Sequence, residues 1–324
     1  MRRIQIKIWP ELTSYLPAII PFDRIDEGKT NPIDIDFSNV LEVESSSLNI
    51  ILIKLIKNSF SIENRDWDIK LSNNDKVNRK LIELGFIDML KKSIPNNKLF
   101  LQPIYLENKI GSNVESLNSS NPHSVSYPVR EINFSKFRDR REAVEDFKDY
   151  LVEILKDFYP KYKLKVNKLI QILHEIAKNS ADHTEQNAFF GLDISIKDGN
   201  LVLKFSFGDL GVGINQTVRS VLRNDETYKL KDRHLAVTDS YNYALSMGFT
   251  SKPYSMVNRG IGMSTIFDLS KQINMSLSVF DAKSRGLLSS AKNISHVELR
   301  KIFYNVGFSV GFYYYGELIQ ELAK

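Results

Sequence analysis

The chain has 324 residues, of which 42% are hydrophobic and 26% are charged, as in a globular protein large enough for two domains. It contains no cysteine, which excludes disulfides, thiolate metal sites and cysteine nucleophiles and favours a reducing compartment. A formal net charge of +5 is small for this length and gives little support to nucleic-acid binding. The N-terminal segment carries Lys7, Pro10 and Glu11 before any long apolar run, so it matches neither a signal peptide nor a membrane span. We therefore expect a cytoplasmic protein that does not enter membranes.

Alternating strands and helices are predicted for the first third of the chain. Apolar residues alternate with polar ones over 4–8, 33–37 and 67–71, as in strands with one buried face. A helix is predicted between the second and third of these strands, because apolar residues recur there three and four positions apart. These residues are Leu48, Ile51, Leu52, Leu55 and Ile56. A second helix follows the third strand and ends at Gly85, a residue suited to a helix C-terminus.

The strand and helix pattern stops between residues 107 and 128, where the chain is polar and rich in serine and asparagine. Such a composition is typical of a linker or a long surface loop. We therefore predict a first domain over residues 1–106, a linker over 107–135 and a second domain over 136–324.

The second domain is predicted to open with two helices, over about 137–151 and 166–183. Two strands follow at 189–197 and 200–209, joined by a tight Asp-Gly-Asn turn. A polar and irregular segment over about 214–258 then leads through a glycine turn to another helix and further strands. This order predicts an α+β fold, with the second domain an α/β sandwich that has helices on one face of a mixed sheet.

A first chemical motif, HEIAKNSADHT, lies in the second of these helices. Glu175 and Asn179 are four positions apart, so both project from one face, which His183 continues. An amide oxygen suits Mg²⁺, a hard cation that prefers oxygen ligands. A carboxylate one turn earlier can orient or deprotonate a water or hydroxyl for attack on phosphorus. Taken alone, the motif also fits a solvated helix face with a chance spacing.

A second motif, DLGVG, follows the second strand of the hairpin. Asp209 at the strand end can accept a hydrogen bond from an adenine amino group. Gly211 and Gly213 carry no Cβ, so a base and the backbone can approach each other closely there. A plain glycine turn that begins with aspartate is the alternative interpretation of this motif.

A third motif, RGIGMS, enters the next helix. Backbone N–H groups at such a helix start point outward and attract phosphate oxygens. A tight loop without a ligand is the alternative for this motif alone.

In their order and spacing, the three motifs together resemble the GHKL ATPase superfamily, whose nucleotide site has the Bergerat fold, over roughly residues 140–324. The resemblance implies that the chain binds ATP and Mg²⁺, with Glu175 as the catalytic carboxylate, Asn179 as the Mg²⁺ ligand and Asp209 as the adenine acceptor. The residues that it assigns to the nucleotide are Asn179, Asp182, His183, Asp209, Gly211, Gly213, Lys252, Gly260, Ile261, Gly262 and Met263.

Within that superfamily, part of the first motif resembles the anti-sigma-factor kinases. Histidine kinases usually have asparagine where Glu175 stands, whereas the pair Asn179 and His183 resembles the anti-sigma-factor kinases. Their lids over the nucleotide are short, however, and the lid predicted here over 214–258 is long and basic. Lys252, just before the glycine turn, is the candidate phosphate contact from this lid.

The first domain resembles a STAS domain, the fold of anti-anti-sigma factors. Its βαβα order places Glu44 and the serines 45–47 at a helix start, as in that family except at Ser47, where the family usually has glycine. The resemblance implies that Ser45 is a phosphoacceptor. Capping of the helix by these serines is the alternative.

These resemblances imply a cytoplasmic Mg·ATP-binding regulatory protein, in which closure of the lid with slow hydrolysis controls the interaction with a protein partner. A serine/threonine protein kinase of a partner-switching pathway is one open alternative. A non-hydrolysing ATP sensor or scaffold is another. A homodimer is compatible with each of these functions.

Overall fold

A computed structural model describes twelve segments of the chain and the single residue 244. The segments are 4–8, 10–12, 31–61, 66–102, 124–134, 139–184, 186–197, 200–211, 213–224, 262–281, 286–289 and 312–321. They form seven α-helices and twelve strands, and the strands make three sheets. None of the described helices is both long and apolar enough to cross a membrane.

The N-terminal unit, residues 4–102, is built on a parallel sheet in the order β1-β3-β5-β6. The two remaining strands, β2 and β4, form a short parallel ribbon. The strands are β1 (Ile4–Lys7), β2 (Glu11–Leu12), β3 (Ile33–Asp36), β4 (Glu42–Val43), β5 (Trp67–Lys70) and β6 (Leu99–Leu101). The helices are α1 (Ser45–Ser61), α2 (Asp75–Glu83) and α3 (Phe86–Ser93).

Local sequence explains the elements of this unit. In β3, Ile33 and Ile35 are buried while the aspartates between and after them are half-buried, which gives the strand one core face. The side chain of Asn74 accepts a hydrogen bond from the backbone N–H of Lys76 and so caps the start of α2. Gly85 then adopts a positive φ of 74°, which separates α2 from α3 at low steric cost.

The C-terminal unit, residues 124–321, is built on a six-stranded sheet in the order β11-β10-β12-β9-β8-β7. Its strands are β7 (Ser124–Ile132), β8 (Ala188–Lys197), β9 (Asn200–Asp209), β10 (Ser276–Asp281), β11 (Gly286–Ser289) and β12 (Phe312–Glu321). Its helices are α4 (Arg140–Leu155), α5 (Tyr159–His183), α6 (Ile214–Asn224) and α7 (Gly262–Gln272).

The α+β class expected from the sequence is confirmed, but the mixed sheet predicted for the second domain is wrong. All five pairings between the described strands of the six-stranded sheet are antiparallel. Lys197 pairs with Asn200 across a connection of two residues, and so short a connection permits only an antiparallel pair.

Part of the predicted linker is also a strand, because β7 lies within the range 107–135. Pro128 and the surrounding serines gave this segment the composition of a loop. The register against β8 shifts between Tyr127 and Arg130, and β7 is the last described strand on its side of the sheet. A proline is tolerated at such a bulged edge position, so composition alone was misleading.

The first residues of the predicted lid form a helix instead. Within α6, Val218 and Leu222 are four positions apart and are buried in the core of the C-terminal unit. Polar residues between them concealed this apolar face in the sequence. Apart from Ala244, the rest of the predicted lid, including Lys252, lies outside the described residues.

Residues 45–56 of helix α1 are buried on every side of the helix. Besides the apolar stripe expected from the sequence, Ile50, Ile53 and Lys54 are fully buried. The helix contacts β7, β8 and β9, and its residues share one core cluster with the parallel sheet. The six-stranded sheet is therefore covered on both faces, by helices of its own unit on one and by α1 on the other. The cover on this second face comes from the N-terminal unit, and the sequence did not predict it.

Candidate functional site

The C-terminal turn of α5 meets the end of β9. The hydroxyl of Ser180 donates a hydrogen bond of 2.6 Å to Oδ2 of Asp209, and both residues are buried. The backbone N–H of Gly211 donates to Oδ1 of the same carboxylate at 2.8 Å. These two contacts fix the Asp209 carboxylate beside the helix that carries Glu175 and Asn179.

The two glycines of the DLGVG motif occupy positions that exclude a side chain. A Cβ on Gly211 would lie 2.8 Å from Oδ1 of Asp209 and 3.2 Å from Cβ of Thr184. Gly213 has a φ of 83°, a conformation that other residues rarely adopt, and α6 begins at the next residue. Glycine is therefore required by the turn itself.

Arg140, at the start of α4, holds the end of α5 in place. Its Nη1 donates to the backbone oxygens of Ala181 at 3.1 Å and of Thr184 at 2.9 Å. The hydroxyl of Thr184 in turn accepts a hydrogen bond from the backbone N–H of Gln186. A cation bound to the last carbonyls of a helix also interacts favourably with the helix dipole.

Glu175 and Asn179 lie on a flank of α5 that turns away from α4. On the α4 side, Nε2 of His174 is 3.0 Å from Oε1 of Glu145. Successive residues of an α-helix are about 100° apart around its axis. Viewed along that axis, Glu175 therefore lies about 100° from His174, and Asn179 lies about 140° from it. Both are half-buried, and Oε2 of Glu175 lies 3.6 Å from Nζ of Lys178. Helix α7 packs against α5 as well.

The remaining predicted site residues are placed only in part. Asp182 is half-buried and His183 exposed in the last turn of α5. Gly262 begins α7, and Met263 beside it is half-buried. Three of the predicted residues lie outside the described ones: Lys252, Gly260 and Ile261. The structure thus joins the first two motifs directly and describes the third only from the start of its helix.

No protein-family model matches this chain, and no curated protein matches it at a significant level. Assignment of the site therefore depends on the residues of the chain and their geometry. Among the described residues, no group of three or more histidine, aspartate or glutamate side chains could hold a metal ion. A Mg²⁺ ion bound by one amide, phosphate oxygens and water does not require such a cluster.

A second polar centre, which sequence reasoning missed, lies on the opposite face of the six-stranded sheet. Asp193 of β8 is buried and accepts hydrogen bonds of 2.8 Å from the backbone N–H groups of Ser45 and Ser46. The Ser46 hydroxyl donates to the same carboxylate at 2.7 Å. A carboxylate 148 residues away from Ser45 in sequence therefore caps the N-terminus of α1.

The backbone of α1 approaches the sheet closely at this centre. A Cβ on Gly191 would lie only 2.5 Å from the carbonyl oxygen of Ser45. Ser206, opposite Gly191 in the sheet, donates its hydroxyl to the carbonyl oxygen of Ser46 at 2.6 Å. Nδ2 of Asn49 donates to Oγ of Ser206 at 2.9 Å. Small residues on both elements make this approach possible.

A buried ion pair completes the centre. Nζ of Lys204 on β9 lies 3.0 Å from both carboxylate oxygens of Glu44, and both side chains are less than one fifth exposed. Burial raises the pKa of Glu44 to about 7, the Asp193 carboxylate adds to this rise and Lys204 opposes it. We call Glu44, Ser45, Ser46 and Asn49, with Gly191, Asp193, Lys204 and Ser206, the α1–sheet contact.

The expected role of Ser45 as a phosphoacceptor does not fit this contact. Ser45 is fully buried, and its hydroxyl has no hydrogen-bond partner in the described part of the chain. A phosphate on Ser45 would have no room and would lie beside the Asp193 carboxylate. In the folded protein, Ser45 is therefore not accessible to a kinase.

Proposed function

We propose that the C-terminal unit binds Mg·ATP in a Bergerat-type site between α5, the end of β9 and the start of α7. The observation that carries this proposal is the hydrogen bond between Ser180 and Asp209. It joins the helix of the first motif to the strand end of the second. Two motifs that are each weak in isolation therefore meet at one place in the fold.

Asp209 is suited to recognise the adenine base. Its carboxylate is buried and oriented by Ser180 and the backbone of Gly211, so an amino group that reaches it meets an acceptor of fixed direction. Buried acceptors of this kind discriminate strongly, because a ligand without the matching donor leaves them unsatisfied. A Cβ on Gly211 would lie 2.8 Å from Oδ1 of Asp209, so glycine at this position adds no steric block beside the carboxylate.

Asn179 and Glu175 supply the chemistry at the phosphates. Asn179 directly precedes Ser180, so its amide lies in the same helical turn that contacts Asp209. An amide oxygen fits Mg²⁺, which usually keeps several waters and substrate oxygens. Glu175, one turn earlier on the same flank, would act as the base toward an attacking water.

Helix α7 would bind the phosphates at its N-terminus. It begins at Gly262, within the glycine motif, and packs against α5, the helix that carries Asn179. Its eleven residues are long enough for a helix dipole that favours anions at this end. We propose slow hydrolysis of ATP that regulates a protein partner as the function of this site.

Calorimetric titration with Mg·ATP tests the binding step. We expect wild-type protein to bind and the Asn179→Ala variant to lose at least about tenfold in affinity, the equivalent of about 1.4 kcal/mol. Gln171→Ala removes an exposed amide from the same helix and serves as the matched control. Equal affinities of wild-type and Asn179→Ala protein would refute the site.

Mass spectrometry of protein and nucleotide after incubation with Mg·ATP tests the chemical step. We expect ADP to accumulate with the wild-type protein and to be absent with Glu175→Gln, which should still bind ATP. Phosphate found on the protein would indicate the kinase alternative instead. If ATP binds the wild-type protein but stays unhydrolysed, the result would indicate the non-hydrolysing sensor.

A further inference from the structure

The α1–sheet contact encloses three ionisable side chains that cannot all be charged without cost. Asp193 is buried, and Glu44 and Lys204 are less than one fifth exposed. With every group ionised, two carboxylates stand against one ammonium group in a region that excludes most water. Charges in such a region interact more strongly than in solvent, so the excess carboxylate is destabilised.

The three groups differ in their hydrogen-bond and ion-pair partners. Asp193 accepts hydrogen bonds from two backbone N–H groups and one hydroxyl, so three donors of α1 already contact its oxygens. Lys204 lies opposite Asp193 in the sheet and forms an ion pair with Glu44. The further charge acting on Glu44 is the exposed Glu42 of β4, which repels it. Glu44 is therefore the group that can relieve the excess charge by taking up a proton.

We propose that the α1–sheet contact is a proton-linked latch, in which Glu44 takes up one proton from solvent when α1 packs against the six-stranded sheet. The latch is independent of nucleotide, because none of its residues belongs to the proposed ATP site. It makes the attachment of the N-terminal unit to the sheet sensitive to pH in the neutral range.

The direction of the pH effect follows from the two states of Glu44. Its ordinary pKa of 4.5 applies to the unfolded chain, and the pKa in the folded protein is about 7. Between these values the folded protein holds more protons than the unfolded chain, so its stability falls as pH rises. The contribution of Glu44 is complete below pH 4.5 and is lost as pH rises through about 7.

Urea unfolding at a series of pH values tests the latch. The fluorescence of the buried Trp67, measured in a Trp9→Phe background, reports the unfolding. When the pH rises from 5 to 8, we expect the deprotonation of Glu44 to lower the folding equilibrium constant by on the order of fiftyfold. Glu44→Gln should remove this component from the pH profile. Glu42→Gln, which alters an exposed carboxylate two residues earlier, should retain it. Identical profiles for wild-type and Glu44→Gln protein would overturn the proposal.

Titration of the Glu44 carboxyl carbon by NMR gives a second, direct measurement. We expect its midpoint near neutral pH in the otherwise unaltered protein, and a higher midpoint in Lys204→Met, because the lysine opposes proton uptake. A midpoint near the ordinary value of glutamate would reject the latch even if Lys204→Met fails to fold. A midpoint that does not move in a folded Lys204→Met variant would reject the charge network as its cause.

Discussion

The two faces of the six-stranded sheet are built on different principles. On one face, Phe190 of β8 and Phe207 of β9 pack edge-on against Phe147 of α4, with ring centroids 5.1 and 5.7 Å apart. On the other, Gly191 and Asp193 of the same strand meet the backbone of α1. Around Phe147 the first face needs only apolar volume, whereas the second face needs particular atoms at particular distances. The contrast shows that a polar strand face is not always a solvent face.

The difference has an energetic consequence. Apolar packing adapts to changes of shape, and conservative swaps there usually cost less than about 1.5 kcal/mol. Buried polar contacts adapt poorly, because an unpaired donor or an inserted methyl group has no alternative position. Substitutions on the α1 face should therefore be more damaging, atom for atom, than substitutions near α5.

Gly191→Ala should have the largest effect. The added Cβ would collide with the backbone of Ser45, which cannot move without displacing α1, so we expect a loss of about 3 kcal/mol in the free energy of unfolding. Urea unfolding measures this loss. Ser195→Thr adds a methyl group at a half-buried position on the same strand face and should cost much less. Equal costs for the two variants would show that α1 does not pack tightly here.

Asp193→Ala should rank second. It removes the acceptor for two backbone N–H groups and the Ser46 hydroxyl, and we expect a loss of about 2–3 kcal/mol. Asp193→Asn keeps the shape and part of the hydrogen bonding, so its loss should be smaller. Chemical denaturation of both variants tests this order, and a milder effect of the alanine than of the asparagine would contradict the capping role.

Arg140→Met tests the other face, at the end of α5. The variant keeps the length of the side chain but loses the donors to Ala181 and Thr184, so we expect a loss of about 1–2 kcal/mol. Hydrogen exchange should show faster opening of the last turn of α5. Arg141→Met, at the exposed neighbouring position, is the control and should leave that turn protected.

Ser180→Ala should have the smallest effect, about 1 kcal/mol, because it removes one neutral donor to a carboxylate that also binds the backbone of Gly211. Thermal unfolding measures the loss of stability. The control is Ser270→Ala, which removes a buried hydroxyl that donates a hydrogen bond within its own helix. A loss as large as that of Asp193→Ala would mean that the two faces do not differ as described.

Periodicity predicted most of the secondary structure. Three strands of the parallel sheet (β1, β3 and β5), helix α1 and the β8–β9 hairpin follow patterns of two or of three and four residues that burial imposes, whereas β6 was not predicted. Periodicity failed at β7 and α6, where proline, serine and other polar residues outnumbered the few buried ones. Those two elements are defined by tertiary packing, which a local pattern records only weakly.

The meeting of Ser180 with Asp209 was implied by the order of the motifs, although Ser180 itself was not singled out. The α1–sheet contact was not foreseen, because its partners come from distant parts of the chain and its serines also suit an ordinary helix cap. One feature of the sequence did indicate that this helix has partners on more than one side. The run LNIILIKLI is apolar around the whole helix, and a helix of that kind needs partners on more than one side.

The position of β12 bears on how the protein is made. This strand pairs with β9 along its whole length, and its other edge pairs with β10. Strands β9 and β10 are both synthesised before β12. Until β12 pairs with them, each has an unpaired edge that can form hydrogen bonds with strands of other chains. The sheet can close around β12 only after residue 321 has been synthesised, so its assembly is completed late in translation.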